Sequence, residues 1–175
     1  MRILFCCHGN ICRSPMAEFV MKKLVADAGR DDLLVESAAL HTDEIGSDIH
    51  PGTRAQLREH GVPFAPRAAW LLTANQAKAY DLLIGMDEAN VADLRRLVCP
   101  GDWGKVRLLL SFSGLDRAID DPWYTGDFDA TYRDVLVGCT ALMESLPPPD
   151  SPQPPDIQHS AIEFWYNRLE EAKKK

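Results

Sequence analysis

Four apolar runs, at residues 2–6, 33–40, 81–87 and 105–112, alternate with segments whose apolar residues recur at helical spacing. That alternation of period 2 and period 3.6 is the strongest constraint on the fold. Each run is too short to be a helix and too apolar to be half exposed. The pattern therefore predicts an α/β fold, doubly wound, with a four-stranded parallel sheet buried under helices on both faces. Right-handed crossovers would place the functional loops at the carboxyl ends of the strands. The first helix is expected over residues 14–29, with Ser14 as a candidate N-cap, Pro15 at its first position and Gly29 just past its end. Residues 50–61, closed by Gly61, residues 73–80 and residues 88–98 read as further helices, and a last one runs from near Asp129 to Leu146.

The chain has 175 residues, enough for one well-cored domain and too few for two ordinary ones. No apolar stretch approaches the roughly 20 residues of a membrane span, and the apolar start at Ile3 to Phe5 is too short for a signal-peptide core. Five cysteines, an odd and unevenly spaced set, argue against a secreted disulfide framework. A reducing, cytoplasmic setting is expected, with no membrane partner. A formal charge of -7 argues against nucleic acid as a general partner, so any basic site must be local.

The loop between the first strand and the first helix, CHGNICRSP, is where such a site would lie. Gly9 permits close backbone approach, and Asn10 tolerates a left-handed conformation, so successive N–H groups can turn inward around an anion. The helix N-terminus adds positive potential, and Arg13 supplies a planar fork of donors that matches phosphate oxygens. Residues His8, Gly9, Asn10, Ile11, Cys12 and Arg13 thus form a predicted phosphate cradle. Cys7 lies under those converging dipoles and near Arg13, which favours its thiolate. A thiolate facing a phosphoryl group can attack phosphorus in line and form a phosphocysteine. A leaving phenolate or alkoxide then needs a proton donor. The segment IDDPWYTGD offers one: Asp121 sits on a stiff Asp-Pro turn, with Asp120 as the competing carboxylate. Trp123 and Tyr124 can wall a deep slot that suits phosphotyrosine better than the shorter phosphoserine.

The segments CHGNICRSP, SAAL, GMDEAN and DDPWY stand in the order found in the low-molecular-weight protein tyrosine phosphatase family, which residues 1 to about 146 closely resemble. The resemblance implies Cys7 as nucleophile, Arg13 as phosphate clamp, and Asp121, immediately before proline, as acid and then base toward water. It implies a hydrogen-bond network of Asn10, Ser14 and Ser37 supporting the loop, and neither metal nor organic cofactor. Two places depart from the family pattern. Ser37-Ala38-Ala39 stands where Ser-Ala-Gly is usual, and Ala69-Trp70-Leu71-Leu72 where Ala-Arg is common.

Cys12, the second thiol of the loop, is positioned in sequence to trap an oxidised Cys7 as a reversible disulfide. Cys6 should face away from Cys7 across the strand, while Cys99 and Cys139 read as packing thiols. The five histidines show no metal-ligand spacing, and His41 alone is a candidate for the pocket rim. Asp87 reads as the cap of the helix that follows it.

Composition shifts at residues 147–156, a proline-rich linker, after which residues 157–175 can form an amphipathic helix with Ile162, Trp165 and Leu169 on one face. A monomer is expected, with this tail as a candidate protein contact. The expected activity is hydrolysis of phosphotyrosyl proteins or peptides. The alternatives are a phosphoarginine phosphatase or an arsenate reductase on the same fold, and an inactive phosphotyrosine-binding module.

Overall fold

The computed structural model describes residues 1–149, so the predicted helix at 157–175 and most of the proline-rich linker lie outside the described residues. The strands are β1 (Arg2–Cys7), β2 (Leu34–Ala39), β3 (Leu82–Gly85) and β4 (Val106–Leu108). They form one parallel sheet in the order β2-β1-β3-β4. The helices are α1 (Arg13–Asp27), α2 (Pro51–Glu59), α3 (Ala74–Ala77), α4 (Glu88–Leu97), α5 (Pro122–Thr125) and α6 (Phe128–Ser145). The doubly wound α/β fold expected from the alternation is therefore present.

β1 shows why the helices divide between two faces. Its side chains alternate, so Ile3, Phe5 and Cys7 join the core beneath α1 and α6, while Leu4 and Cys6 join the core beneath α4. Cys6 and Cys7 consequently look in opposite directions, as the period of 2 requires. α1 is buried from Arg13 to Met21, and α6 packs along it through Val135, Cys139 and Leu142. The switch in strand order lies between β1 and β3, which opens a crevice at the C-terminal end of β1. Among the described residues no helix is long and apolar enough to cross a membrane.

Several local expectations change. α1 starts at Arg13 and not after a Ser14 cap: Cys12 holds the cap position without a side-chain bond, because the Ser14 hydroxyl is engaged with Asn10 and Cys7. Gly29 and Gly61 do close α1 and α2, both in the left-handed region at φ 62° and 61°. The helix expected at residues 73–80 is only the single turn of α3, which carries a Thr73–Gln76 capping box. The apolar run at 105–112 is only briefly a strand. After Leu108 it tightens into a 3-10 turn, Leu109–Ser113, whose Leu109 and Leu110 are fully buried against α6. Cys139 is a packing thiol, but Cys99 is exposed, lying just before a 3-10 turn, Pro100–Lys105, at the surface.

The two sequence departures turn out to be partners. Ala39 donates its N–H to Trp70 O and accepts from Leu72 N–H, so the segment around Leu71 pairs with the end of β2 and covers part of that sheet edge. Leu72 then packs into the core beneath α4, with Trp70 against it. An apolar sequence is what that position demands.

Candidate active site

At the end of β1 the chain turns through residues 8–12 before entering α1, and Asn10 is the one non-glycine residue with positive φ among those described, at 58°. The loop surrounds a cleft of about 230 Å³, lined by Cys7, His8, Gly9, Ile11, Cys12 and Arg13 from the loop itself. Asp121, Trp123 and Tyr124 close it from the start of α5, and Asp43 and Glu44 from the loop after β2. A Cβ on Gly9 would stand 2.9 Å from Glu44 Cγ, so the bare backbone there is what lets Glu44 approach.

Arg13 is the electrostatic centre. Its side chain is 4% exposed, and its Nη1 donates to Asp87 Oδ2 at 2.6 Å and to Ile119 O at 3.3 Å. Nη2 donates to Asp121 Oδ2 at 2.5 Å. Burial alone would pull the guanidinium down, but Cys7, Asp121 and Asp87 outweigh it and hold the cation above its usual value. The buried Nε–H has no partner among the described residues. A buried orphan donor is costly unless an acceptor meets it. A phosphate oxygen is such an acceptor, and the rest of the fork is already held in plane by two carboxylates.

The two loop thiols are in different environments. Cys7 Sγ lies 3.0 Å from Ser14 Oγ at the mouth of the strand. Cys12 is buried, and that burial together with the neighbouring Cys7 and Asp121 pushes its thiol up to about 12. Cys12 is thus held protonated at neutral pH, which leaves Cys7 as the nucleophile candidate of the pair.

Asp121 caps α5, with Oδ1 accepting from Trp123 N–H at 3.1 Å. Pro122 at the first helical position fixes the turn, so the carboxyl is aimed by covalent geometry. The neighbouring Asp120 does not line the cleft. Trp123 and Tyr124 are 57% and 85% exposed, which is unusual for large aromatics and leaves their faces open beside the cleft. His50 supports Trp123 from behind, edge-on at 5.9 Å, and stacks on Phe128 at 4.9 Å.

Most of the residues predicted from sequence meet here. Asn10 differs: it faces away from the cleft into a buried network, donating from Nδ2 to Ser14 Oγ and to Ser37 Oγ, both at 2.8 Å. The histidine on the rim is His8, bonded to Asp43, whereas His41 stands behind it, stacked at 4.2 Å and bonded to Asp93. Asp87 does cap α4 through Asn90 N–H, but the same carboxyl also holds Arg13. Arg67 and Glu18 were not anticipated: Arg67 reaches Asn10, Ser37 and Glu18. Only for Asp87 did a signal exist, its place at the end of a strand beside the topological switch. Among the described residues no three His, Cys, Asp or Glu side chains form a group able to hold a metal ion.

Known proteins carry the same framework. Residues 2–149 match the family described as Low molecular weight phosphotyrosine protein phosphatase. A relative named Low molecular weight protein-tyrosine-phosphatase PtpA, from Staphylococcus saprophyticus, is 35% identical over 145 residues, spanning 82% of this chain and 92% of its own. Among solved structures, the low molecular weight protein tyrosine phosphatase SP-PTP from Streptococcus pyogenes superposes with a TM-score of 0.74 at 36% identity, covering 83% of this chain and 93% of the other. The Drosophila arginine phosphatase DARP superposes with a TM-score of 0.76 at 30% identity, covering 82% and 96%.

Proposed function

The chain belongs to the low molecular weight phosphotyrosine protein phosphatase family and is a cysteine-dependent protein tyrosine phosphatase; we propose that Cys7, Arg13 and Asp121 carry its reaction. The observation that supports this most is that a buried arginine with an orphaned Nε–H shares one cleft with a loop thiol and an Asp-Pro carboxyl. The substrate's phosphoryl oxygens take the Arg13 fork and the N–H groups of residues 8–13. Asp121 Oδ2 accepts a hydrogen bond from Arg13 Nη2. The incoming phosphoryl group competes for that donor and frees the carboxyl to carry a proton. Cys7 Sγ then bonds to phosphorus as the P–O bond breaks, and the proton of Asp121 goes to the departing phenolic oxygen. In the second half Asp121 takes a proton from water, the water oxygen bonds to phosphorus, the S–P bond breaks, and inorganic phosphate leaves. The dipoles of the loop stabilise the charge on the transferring group throughout.

Trp123 and Tyr124 are the substrate walls. Their exposed faces at the mouth of a deep cleft suit an aromatic phosphoester, and phosphotyrosyl proteins or peptides are the substrates. The open faces of this aromatic pair favour phosphotyrosine over phosphoarginine. An arsenate-reductase relay would need further accessible thiols, and among the described residues Cys139 is buried in the core while Cys99 lies outside the cleft. Cys12 shares the cleft with Cys7, and after peroxide converts Cys7 to a sulfenic acid, Cys12 displaces water from it to form a disulfide.

The test is phosphate release from matched phosphotyrosyl, phosphoseryl and phosphoarginyl peptides by the intact protein and by Cys7→Ser. Phosphotyrosine turnover that vanishes in the variant is the expected result. Preferred phosphoarginine turnover would overturn the substrate class. Tight phosphopeptide binding without turnover in the intact protein would make the chain a binding module.

A further inference from the structure

Trp123 stands on α5, a single helical turn, with more than half of its surface exposed. A large side chain placed so openly has rotamer freedom to lose when a substrate settles against it. What limits that freedom is His50, whose ring meets the indole at a centroid distance of 5.9 Å and an angle of 74°, the edge-to-face arrangement that aromatic pairs prefer.

His50 is itself held at three points. Its Nδ1 accepts from Gly52 N–H at 3.1 Å, which caps α2 and fixes the rotation of the ring. Its backbone N–H donates to Ile11 O at 2.9 Å. Phe128, the first residue of α6, stacks on the imidazole at 4.9 Å with the two planes 8° apart. Phe128 in turn lies over Gly52, where a Cβ would stand 2.6 Å from its ring, so the stack is wedged between α2 and α6. A cap requires only an acceptor, and Asn, Asp or Ser would provide one with a smaller side chain. What histidine adds at this position is a rigid ring that reaches from α2 to the indole.

We infer that His50 is a positioning residue for substrate selection: it braces Trp123 in the orientation that receives the aromatic ring of a phosphotyrosyl substrate, so the wall is ordered before the substrate arrives. The inference rests on Trp123 as a substrate wall. His50 does not itself line the cleft; it acts through the indole.

Two competitive inhibitors separate the brace from the phosphate cradle. Inorganic phosphate occupies the cradle alone, whereas benzylphosphonate adds a ring that reaches the walls. Their inhibition constants are measured against turnover of an aryl phosphate by the full chain, His50→Asn, Trp123→Ala and the double variant. Near-ultraviolet circular dichroism establishes that each is folded. Asn at position 50 keeps an acceptor for Gly52 N–H and removes the ring. His50→Asn should weaken benzylphosphonate about fivefold, the worth of one aromatic pair or of one side chain ordered on binding, and leave inorganic phosphate nearly unchanged. KM for a phosphotyrosyl peptide should rise to the same degree with kcat nearly level. Because the effect passes through the indole, adding His50→Asn to Trp123→Ala should weaken benzylphosphonate no further. An unchanged benzylphosphonate constant in His50→Asn, equal weakening of both inhibitors, or equal weakening in both backgrounds would overturn the inference while leaving the wall in place. Trp123→Ala that binds benzylphosphonate as well as the unaltered chain would overturn the wall, and the inference with it. If His50→Asn does not fold, the unaltered chain decides: nuclear Overhauser contacts between the His50 and Trp123 ring protons should be present before any inhibitor is added, and their absence would overturn the inference.

Discussion

Asp87 performs two tasks with its two carboxyl oxygens, and an isosteric change separates them. Oδ1 accepts from Asn90 N–H at 2.7 Å and caps α4, whereas Oδ2 accepts from Arg13 Nη1 at 2.6 Å. In Asp87→Asn the carbonyl oxygen keeps the cap, since Asn and Asp are about equal there. The amide nitrogen then confronts the guanidinium, donor against donor. A hydrogen bond to a charged partner contributes about 1.5–3 kcal/mol, and this one is largely buried, with side chains 4% and 22% exposed. Each 1.4 kcal/mol is about a factor of ten, so the fork held out of true should lower turnover by about ten- to a hundredfold. The loss should fall on kcat and leave KM level or lower, because the charge removed is one that repels the incoming phosphate dianion. Asp87→Ala should lose turnover to the same degree and about 1 kcal/mol of stability besides, from the missing cap. Steady-state kinetics on a phenyl phosphate, with thermal melts of both variants, make the comparison. Unchanged turnover in Asp87→Asn, or a loss confined to KM, would refute the assignment of Oδ2 to Arg13.

Three further outcomes follow from other contacts. Asp121→Asn should slow phenyl phosphates with poor leaving groups most and spare the best, as the slope of rate against leaving-group acidity will reveal. Gly138→Ala should destabilise by about 1–3 kcal/mol in denaturant melts, although alanine normally strengthens a helix, because its Cβ would lie 2.6 Å from Leu109 Cγ. The Asp48 carboxyl is held below its usual value by the backbone N–H groups of Arg67 and then Ile49. A depressed folded-state value contributes stability that is present above about pH 4 and is lost as pH falls through the folded value, so Asp48→Asn should flatten the acid limb of a stability-versus-pH curve.

What could be read in advance follows from how the chemistry is distributed along the chain. Cys7, Gly9 and Arg13 lie on one stretch of chain, and the backbone itself carries them into one anion site, so their order in sequence already specifies their geometry. Asp121 was legible for a related reason, since Asp-Pro fixes a cap and a turn without help from the rest of the fold. Arg67 had no such local support. Its partners Asn10, Glu18 and Ser37 come from the loop, α1 and β2, and only the packing of those elements brings them within reach. The same holds for the shortness of β4. Leu109 and Leu110 are apolar because they tuck beneath α6, where Gly138 leaves room for Leu109, and an apolar run does not reveal whether sheet or helix will cover it. The residues that perform the chemistry thus sit on two short local motifs, the loop after β1 and the Asp-Pro turn, and those that orient them are gathered through space. A substitution at the second kind of position alters no local motif, so it should weaken the reaction while leaving the loop sequence and the fold intact.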